Sequence, residues 1–501
     1  MRLHARMCGT DRREDSTVNE RWFRFVSRLA IGGVLCGGVA ACASLDVLRG
    51  QPAARVVTYP GPAEEVSTSD YRVEVNGRPV DVYRAESQYF DKKYYFASFD
   101  FSGDVTVRVT STQSLSRVQI LPERFGIQPK AEGPNALSFS ARQPFRIAIE
   151  RDGRNSPLLV FGNPLETNLP QPGDTNVVYF GPGVHKPVKV RLTDNQTLYL
   201  AGGAVVKGCV EARGSNITVR GRGILDGNDY PHLKGPAGFM LNLAGCRNLV
   251  VRDVIVRGPW TWAVVPAGCD GVLIDNVKIC GSRVLNDDGI DVVNSRDVTV
   301  RNCFIRTQDD CIAVKGLDGW GRKPCEKMVI ESCEFWTDRA NIFRIGYECE
   351  AAEMSGLVAR DIDVLHYSMN YRPPEAFWCN TVFFLQPSGD MPMRDLRFEN
   401  IRIHADDYQT VLVLAKPMVC GVGGRKYTAS GRLSACVFKD IEVTGNAERF
   451  GGEMCVVGAD ERRNVEDVTF ENVRLFGNPV SEKSAAVTVG AHTRNIRFLS
   501  K

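Results

Sequence analysis

Three aspartates in two neighbouring segments are the residues whose type and spacing best suit catalysis. The first segment reads Asn286-Asp287-Asp288-Gly289-Ile290-Asp291, and the second reads Gln308-Asp309-Asp310-Cys311. Asp288 and Asp309 are 21 residues apart. Carboxylates that lie close together repel when ionised, so at least one keeps its proton to a higher pH than an isolated aspartate does. A protonated carboxyl can then donate to a leaving oxygen while an ionised neighbour activates water, as hydrolysis of a glycosidic bond requires.

Two other interpretations of these acidic residues remain open. Asp and Asn side chains often bond to neighbouring backbone in turns, and we expect this role for Asp291 and Asp297. Asp287 fits either role. Clustered carboxylates also suit a calcium ion, although we predict no metal site.

A repeating unit in the second part of the chain must position the aspartates. The unit consists of Asn, Asp or once Ser, then an apolar residue or Cys, any residue, and an apolar residue. It begins at Asp253, Asn276, Asn302, Ser332, Asp361, Asn400, Asp440 and Asn472, at offsets of 23 to 40 residues. Periods of this size are typical of stacked architectures, and the lack of helical stretches favours a parallel β-helix over residues 171–501. Equivalent strands then lie about 4.8 Å apart, so Asp288, Asp309 and Asp310 should meet on one surface.

Residues 54–170 follow a different pattern. The segment Tyr71-Arg72-Val73-Glu74-Val75 alternates between apolar and polar residues, and a turn at Asn76-Gly77 leads into a second alternating run. This pattern predicts a hairpin and, with similar runs further on, a small antiparallel β-sandwich. We expect this module to cap the first coil of the β-helix and to shield its edge, with glycan binding as the alternative role.

Composition excludes several functional classes. Of the 501 residues, 43% are hydrophobic and 24% are charged, which is typical of globular domains rather than disordered chains or coiled coils. The formal net charge is +3, and 55 basic and 55 acidic residues remain after residues 1–41 are set aside. We therefore expect no nucleic-acid partner. The thirteen cysteines after Cys42 form no CxxC pair, so we predict neither structural zinc nor another cofactor.

Residues 1–41 resemble an export leader, followed by a linker at 42–53. A basic, aromatic stretch at 21–28 precedes an apolar run at 29–41, which has about the length of a signal-peptide core. Small residues before Cys42 resemble a bacterial lipobox, in which Cys42 would carry a lipid that tethers the protein to a membrane. Simple secretion is the alternative. We expect a periplasmic protein, an outer-membrane lipoprotein or an extracellular protein, and the sequence indicates no oligomeric state.

The acidic segments resemble the motifs of glycoside hydrolase family 28, the polygalacturonases. Asn286-Asp287-Asp288-Gly289-Ile290-Asp291 is similar to the family's Asn-Thr-Asp-Gly motif, and Asp309-Asp310-Cys311-Ile312-Ala313 is similar to its Asp-Asp-Cys-apolar-Ala motif. The resemblance implies an inverting hydrolase with a right-handed parallel β-helix. It also implies that Asp309 is the general acid, that Asp288 and Asp310 activate water, and that acid and base carboxyl groups lie roughly 6.5–9.5 Å apart.

The chain departs from this family at two places. Asn341 stands where the resemblance leads us to expect histidine, and no clear Arg-Ile-Lys motif follows. Family 49, the dextranases and isopullulanases, shares the three aspartates, lacks that histidine and carries an N-terminal β-sandwich. The implied substrate is therefore a polygalacturonate-like polysaccharide or, alternatively, an α-glucan.

Further side chains are candidates for binding the polysaccharide or oligosaccharide. We predict contacts from Lys315, which should point outward from its strand, and from Asn341, Arg344, Tyr347, Trp320 and Trp378. Trp260 and Trp262 could stack on sugars but are more typical of a packed core. We expect His366 and His404 on solvent-facing positions. A polysaccharide lyase and a non-catalytic glycan-binding β-helix are the remaining alternatives.

Overall fold

The computed structural model describes residues 54–67, 70–317, 319–376, 378–419, 421–422, 425–426 and 430–500. The predicted leader and Cys42 lie outside these residues. Strands dominate, and the helices in the described part of the chain are two short 3-10 turns at Phe90–Lys92 and Glu123–Phe125. No helix in these ranges is long and apolar enough to cross a membrane.

Eleven strands form the N-terminal module. They are β1 (Arg55–Val57), β2 (Tyr71–Val75), β3 (Arg78–Val80), β4 (Val82–Glu86), β5 (Lys93–Ser102), β6 (Val105–Ser111), β7 (Gln119–Leu121), β8 (Lys130–Ala131), β9 (Ala136–Ala141), β10 (Phe145–Glu150) and β11 (Leu158–Pro164).

The module is a sandwich of two sheets. One sheet has the order β1-β5-β11-β10-β7 with β4 also paired to β5, and the other has the order β3-β2-β6-β9-β8. Alternate side chains such as Val73, Val107 and Phe145 point inward and form a shared apolar core. The pairing is antiparallel as predicted, with the exception of β5 and β11, which run parallel.

The remaining strands wind into the β-helix. They are β12 (Val177–Phe180), β13 (Gly183–Leu192), β14 (Thr197–Leu200), β15 (Ala204–Ala212), β16 (Thr218–Gly221), β17 (Ile224–Asp226), β18 (Leu241–Ala244), β19 (Arg247–Arg252), β20 (Ile255–Arg257), β21 (Val264–Ala267), β22 (Asp270–Asp275), β23 (Lys278–Cys280), β24 (Ile290–Val293), β25 (Arg296–Arg301), β26 (Phe304–Thr307), β27 (Ile312–Gly316), β28 (Cys325–Glu331), β29 (Glu334–Thr337), β30 (Phe343–Cys349), β31 (Met354–His366), β32 (Thr381–Gln386), β33 (Pro392–Ala405), β34 (Thr410–Ala415), β35 (Gly421–Val422), β36 (Arg425–Lys426), β37 (Arg432–Gly445), β38 (Gly451–Val456), β39 (Val465–Glu471), β40 (Arg474–Leu475), β41 (Asn478–Pro479), β42 (Val487–Val489) and β43 (Thr493–Leu499).

The strands of the β-helix pair in parallel with their equivalents one coil later, except that β41 pairs antiparallel with β40 and that β35 and β36 form a separate antiparallel pair. In the series that carries the acidic segments, β18 pairs with β21, β21 with β24, β24 with β27, and β27 with β30. Inward apolar side chains stack from coil to coil. Phe398, Phe438, Phe470 and Phe498 form a ladder of stacked rings with centroids 4.9 to 5.1 Å apart. The predicted fold class, a right-handed parallel β-helix preceded by a small antiparallel β-sandwich, is confirmed.

The first residue of the repeating unit marks a corner of each coil. Asn276, Asn302, Asn400 and Asn472 have left-handed backbone angles, which Asn tolerates better than most residues. Their side chains also link neighbouring coils: the amide of Asn276 donates to Asp253 at 2.8 Å, and that of Asn472 donates to Asp440 at 2.6 Å. The repeat is therefore a ladder of Asn and Asp corners.

The N-terminal module packs along one side of the β-helix, over more than the first coil. Tyr94, Phe96 and Phe161 of the module contact a row of outward apolar side chains from successive coils, namely Ile224, Ile255, Cys280, Phe304, Trp336 and Leu365. Buried ion pairs flank this row. Arg222 contacts Asp100 at 2.8 Å, and Arg146 contacts Glu334 at 2.5 Å. The expectation of a simple cap on the first coil is wrong, because the apolar row extends far along the coils.

His366 lies within this interface and not on a solvent-facing position as expected. Its ring is 2% exposed and lies between Glu150 of the module and Asp406 of the β-helix, each 2.8 Å away. His404 is partly buried nearby, and its ring packs edge-on to that of His366 at 6.4 Å. The strand alternation that predicted exposure does not account for the module that covers this side.

Candidate active site

Two adjacent strands bring the three aspartates together. Asp288 lies two residues before β24, and Asp310 lies two residues before β27. Because Ile290 pairs with Ile312, Asp310 is the residue in register with Asp288, and Asp309 precedes that position. The N–H of Gly289 donates to the carbonyl of Asp310 at 2.8 Å and fixes this register.

The carboxylates converge at the base of a cavity of about 410 Å³. One oxygen from each of Asp288, Asp309 and Asp310 lies within 4.8 Å of the others. Asp288 and Asp310 are buried, and Asp309 is partly exposed. The 4.8 Å limit joins one oxygen of each group and is not the separation between the acid and base carboxyl groups, for which the family resemblance implies roughly 6.5–9.5 Å. The oxygen spacing is short enough for a shared cation, so the arrangement is compatible with the calcium alternative.

Burial and mutual repulsion raise the proton affinity of the cluster. Burial and the neighbouring charge of Asp310 raise the pKa of Asp309 to about 6. Burial, followed by the charges of Asp291 and the two other aspartates, raises the pKa of Asp288 well above its usual value. The trio therefore retains a proton near neutral pH, which a general acid needs.

Lys315 balances part of this charge from the end of β27. Its ammonium lies 3.0 Å from Asp288, 2.7 Å from Asp291 and 3.4 Å from Glu348, and 3.5 Å from the ring centre of Trp262. Burial alone lowers the pKa of Lys315, but these carboxylates outweigh it and hold the pKa well above its usual value. Lys315 lines the cavity, and it is buried and bound to carboxylates, so its ammonium also acts on the pKa of Asp288.

Asp291 was expected in a turn, and this expectation is wrong. It lies inside β24, is fully buried and pairs with Lys315. Burial raises its pKa to about 7 against the lowering effect of Lys315. Its alternation with the strand's apolar residues would have identified an inward or site-facing position, but the sequence did not reveal its partner.

Asn341 orients Asp310. Its backbone N–H and its side-chain amide both donate to Asp310 Oδ1, at 3.1 and 2.6 Å. Its own side-chain oxygen accepts from the N–H of Thr381 at 2.8 Å. The amide is thus engaged on both sides, so Asn341 positions a carboxylate although the sequence suggested a contact to substrate.

Three residues form hydrogen bonds with the backbone of Asp309. Asp287, which is fully buried, accepts from the N–H groups of Gln308 and Asp309 at 2.6 and 3.2 Å. The hydroxyls of Thr307 and Thr337 donate to the carbonyl of Asp309 at 2.6 and 2.8 Å. Burial raises the pKa of Asp287 to about 8. Asp287 thus takes the backbone-bonding role that the sequence left open for it, whereas Thr307 and Thr337 carried no sequence signal for such a role.

A loop of the N-terminal module also reaches this point. The side chain of Gln308 donates to the side-chain oxygen of Gln88 at 2.6 Å, and the N–H of Gln88 donates to the carbonyl of Ser282 at 2.7 Å. The sandwich therefore contacts the residue that immediately precedes Asp309.

Cationic and aromatic side chains form the opposite wall of the cavity. Arg339, Arg344, Arg372, Tyr347 and Trp378 line it. The guanidinium of Arg344 lies between the rings of Tyr347 and Phe384, about 4.1 and 4.2 Å from their centres. Arg344 is 4% exposed, and its Nε and one terminal nitrogen have no hydrogen-bond partner among the described residues. A buried guanidinium with free N–H groups is suited to an anionic ligand.

The predicted aromatic platforms divide between two locations. Trp378 is 48% exposed at the cavity and contacts Tyr347 edge-on, with ring centres 5.4 Å apart. Trp320 does not line this cavity; it lies in a separate cleft beyond the other end of β27. Trp260 is buried in the core of the β-helix, whereas Trp262 reaches the cavity.

Comparison with known proteins gives a family for the central part of the chain. Residues 203–323 match the model of glycosyl hydrolases family 28. This stretch contains Asp288, Asp309, Asp310 and Lys315. The resemblance inferred from the two motifs is thus confirmed for this stretch.

Curated relatives match over limited segments. The chain is 31% identical over 111 residues to an exopolygalacturonase of Oenothera organensis, covering 20% of this chain and 30% of the relative. It is 26% identical over 150 residues to a probable polygalacturonase of Vitis vinifera, covering 28% and 30%. The chain thus spans about a third of the length of these relatives.

One solved structure matches over most of the length. Dex49A from Penicillium minioluteum superposes with a TM-score of 0.63 at 14% identity, covering 88% of this chain and 96% of that protein. At this identity the likeness establishes the fold, including the sandwich that precedes the β-helix.

Proposed function

We propose that this protein is an inverting glycoside hydrolase that cleaves an acidic, polygalacturonate-like polysaccharide. The observation that carries this proposal is the convergence of three carboxylates within 4.8 Å at the base of an open cavity. The family match over residues 203–323 and the polygalacturonase relatives support the same reaction class.

Asp309 is the proposed general acid. It is the most exposed of the three, so its carboxyl can reach a glycosidic oxygen, and its pKa of about 6 keeps a large fraction protonated in mildly acidic solution. Asp310 and Asp288 are proposed to hold and deprotonate the attacking water. Two N–H donors from Asn341 fix one oxygen of Asp310 and leave the other for that water.

The cationic wall supports an acidic substrate. Arg344 has N–H groups without a protein partner, and Arg339 and Arg372 line the same cavity. A uronate carboxylate would satisfy these donors, whereas a neutral glucan would leave a buried charge unpaired, which is costly. Tyr347 and Trp378 are proposed to contact the apolar faces of the sugar rings.

An α-glucan hydrolase is the second candidate. One observation favours it: Asn341 occupies the position where the family 28 resemblance leads us to expect histidine. The two candidates differ in the charge of the substrate, so a direct comparison of polymers separates them.

The test is a screen for reducing-end release from polygalacturonate, dextran and pullulan, with and without EDTA. We expect release from polygalacturonate that survives EDTA, and an inverted anomer as the first product by proton NMR. Release from dextran or pullulan alone would select the second candidate. An unsaturated product absorbing in the ultraviolet that depends on calcium would instead indicate a lyase, and no turnover of any polymer would favour a glycan-binding protein.

Export is a separate part of the proposal. The basic and apolar pattern before Cys42 supports a lipid-anchored or secreted protein. Metabolic labelling with a fatty acid tests the anchor: label that disappears with Cys42→Ser supports the lipoprotein, and unlabelled protein in the medium supports secretion.

A further inference from the structure

We infer that a second cleft, separate from the catalytic cavity, binds an acidic stretch of the polysaccharide. This basic cleft has a volume of about 480 Å³ and is lined by Arg213, Arg247, Arg296, Lys323 and Trp320, among others. It lies beyond the carboxyl end of β27, whereas Asp309 and Asp310 lie before its amino end. The inference extends the proposed function, from which it takes a polymeric substrate.

The loop that carries Trp320 is anchored on the catalytic strands. Asn294, which follows β24 and is 2% exposed, accepts from the N–H of Leu317 at 2.8 Å. Its amide also donates to the carbonyl of Lys323 at 2.8 Å. One buried side chain thus ties the two ends of the loop to the coil that carries Asp288, so the cleft has a fixed position relative to the catalytic cavity.

Two glycines leave space for the indole ring of Trp320. A Cβ atom built on Gly268 would lie 2.1 Å from a carbon of the Trp320 six-membered ring, and one built on Gly245 would lie 3.9 Å from it. Both glycines have left-handed backbone angles at successive corners of the β-helix. The ring is therefore supported by bare backbone, while it remains partly exposed and lines the cleft. A sugar ring can pack on such an amphipathic surface.

The charge of the cleft selects an anionic ligand. Its four basic side chains are exposed, and two carboxylates, Asp270 and Glu326, also line it. Asp270 already pairs with Arg296 at 2.5 Å. Arg213, Arg247 and Lys323 have no ion-pair partner within 4.0 Å in the part of the chain that the structure describes. The excess of positive charge around the Trp320 ring suits a polyuronate, in which carboxylates alternate with the apolar faces of the sugar rings.

Aromatic side chains connect the cleft to the catalytic cavity. Trp262 lines the cavity and stacks on Phe239 with ring centres 4.8 Å apart. Trp262, Phe239 and Trp320 all pack on one apolar cluster around Val265 and Val293. A five-residue strand such as β27 is ~17 Å long, so one polymer chain can contact both places. Binding at the cleft then raises the local concentration of polymer at the catalytic carboxylates.

The experiment measures binding without turnover, in an Asp309→Asn background. Affinity electrophoresis through gels that contain polygalacturonate, fully methyl-esterified polygalacturonate or dextran gives dissociation constants. We expect retardation by polygalacturonate, and Arg247→Ala or Trp320→Ala should weaken it about tenfold, the value of one lost contact site on a shared polymer. The effect should shrink as salt increases. Arg397→Ala, an exposed arginine on another strand, is the matched control and should bind as the background does.

Three results would overturn the inference. The first is that Arg247→Ala is retarded by polygalacturonate as strongly as the background protein. The second is that methyl-esterified polymer or dextran retards the protein as strongly as polygalacturonate does. The third is that the cleft substitutions weaken binding to RNA or to anionic vesicles more than they weaken binding to polygalacturonate. Arg247 is exposed, so its substitution tests the cleft even if Trp320→Ala does not fold. Turnover is measured separately on the chain with Asp309 intact: binding without hydrolysis would refute the proposed function and leave the cleft standing.

Discussion

Two buried clusters of charge in this protein contain the same residue type and show opposite behaviour. In the catalytic cavity, Asp288, Asp309 and Asp310 face one another with Lys315 as their nearest cation, and burial and repulsion raise the pKa of Asp288 and Asp309. At the interface with the sandwich, Asp338 and Asp406 are just as enclosed. There, burial alone would raise the pKa, but Arg306 and Arg154 outweigh it at Asp338, Arg154 and His366 outweigh it at Asp406, and both pKa values lie below the usual range.

The comparison shows that burial alone does not determine whether an aspartate side chain is protonated or ionised. Where arginine outweighs burial, as at Asp338, the aspartate stays ionised and links two parts of the fold, whereas an aspartate that faces other aspartates keeps a proton to higher pH. Substitutions in the catalytic cluster should therefore alter turnover, and those in the interface should alter stability.

The largest expected effect is that of Asp309→Asn on turnover. The amide cannot donate a proton to the leaving oxygen, so kcat on polygalacturonate should fall by at least about 10³-fold, within the range that general acid catalysis contributes. Reducing-end assays across substrate concentrations measure it. Asp297→Asn, an exposed aspartate one strand later, should keep full activity. Unchanged kcat in Asp309→Asn would rule out the assigned acid.

Glu334→Gln should instead destabilise the fold. Glu334 is fully buried and pairs with Arg146 and Arg124, so the substitution leaves the buried Arg146 without a counter-charge, while Arg124 keeps its ion pair with Asp363. We expect a loss of about 3–5 kcal/mol in the free energy of unfolding, with kcat of the folded protein within twofold. Denaturant unfolding measures the loss.

Glu331→Gln is the matched control, because Glu331 lies three residues before Glu334 and pairs with the half-exposed Arg360 of β31. Its effect should stay within about 1 kcal/mol. Equal losses of unfolding free energy in Glu334→Gln and Glu331→Gln would contradict the expected difference between a fully buried ion pair and a half-exposed one.

Lys315→Met should shift the pH dependence of catalysis. Lys315 lowers the pKa of Asp309 and Asp288, so its removal raises both. Because the acid must be protonated, the alkaline limb of kcat/KM, expected near pH 6, should move upward by about one unit. Lys327→Met, an exposed lysine, should leave the limb in place. A downward shift would contradict the electrostatic role of Lys315.

The smallest expected effect is that of His366→Gln on the pH dependence of stability. Burial and Arg154 lower the pKa of His366, but Glu150 and Asp406 outweigh them and raise it above 6.5. The protonated ring therefore stabilises the fold fully below pH 6.5, and this contribution is lost as pH rises through the raised value. Unfolding at pH 5.5 and pH 9 should show a loss of about 1 kcal/mol in the variant at the lower pH only. A loss confined to pH 9 would refute this sign.

The sequence predicted the β-helix because its corners and core repeat within each coil. Asn276 and Asn302 occupy the same place in successive coils, and the offset between Asp288 and Asp309 is close to one coil, so one-dimensional spacing translates into contact. The motif comparison added the roles. In the structure Asp310, and not Asp309, aligns with Asp288. This register depends on where β24 and β27 begin, and the sequence spacing fixes it only to within one residue.

The missed features depend on contacts that no local pattern encodes. His366 and its partner Glu150 are 216 residues apart, and Gln308 and Gln88 are 220 residues apart. Asp291 resembles the corner aspartates in sequence and differs only in lying within a strand. Trp320 follows the catalytic strand, but the direction in which its loop leaves depends on Gly268 and Asn294, whose roles appear only in three dimensions.

The contact between Gln88 and Gln308 links the backbone beside Asp309, the proposed general acid, to the N-terminal module. The side of the sandwich that carries Tyr94 and Phe161 covers the outward apolar row of successive coils. A deletion of residues 54–165 would uncover the apolar row and leave Gln308 unheld beside Asp309. The repeat alone determines where the carboxylates lie. The contact from the N-terminal module is needed as well to hold the backbone beside Asp309.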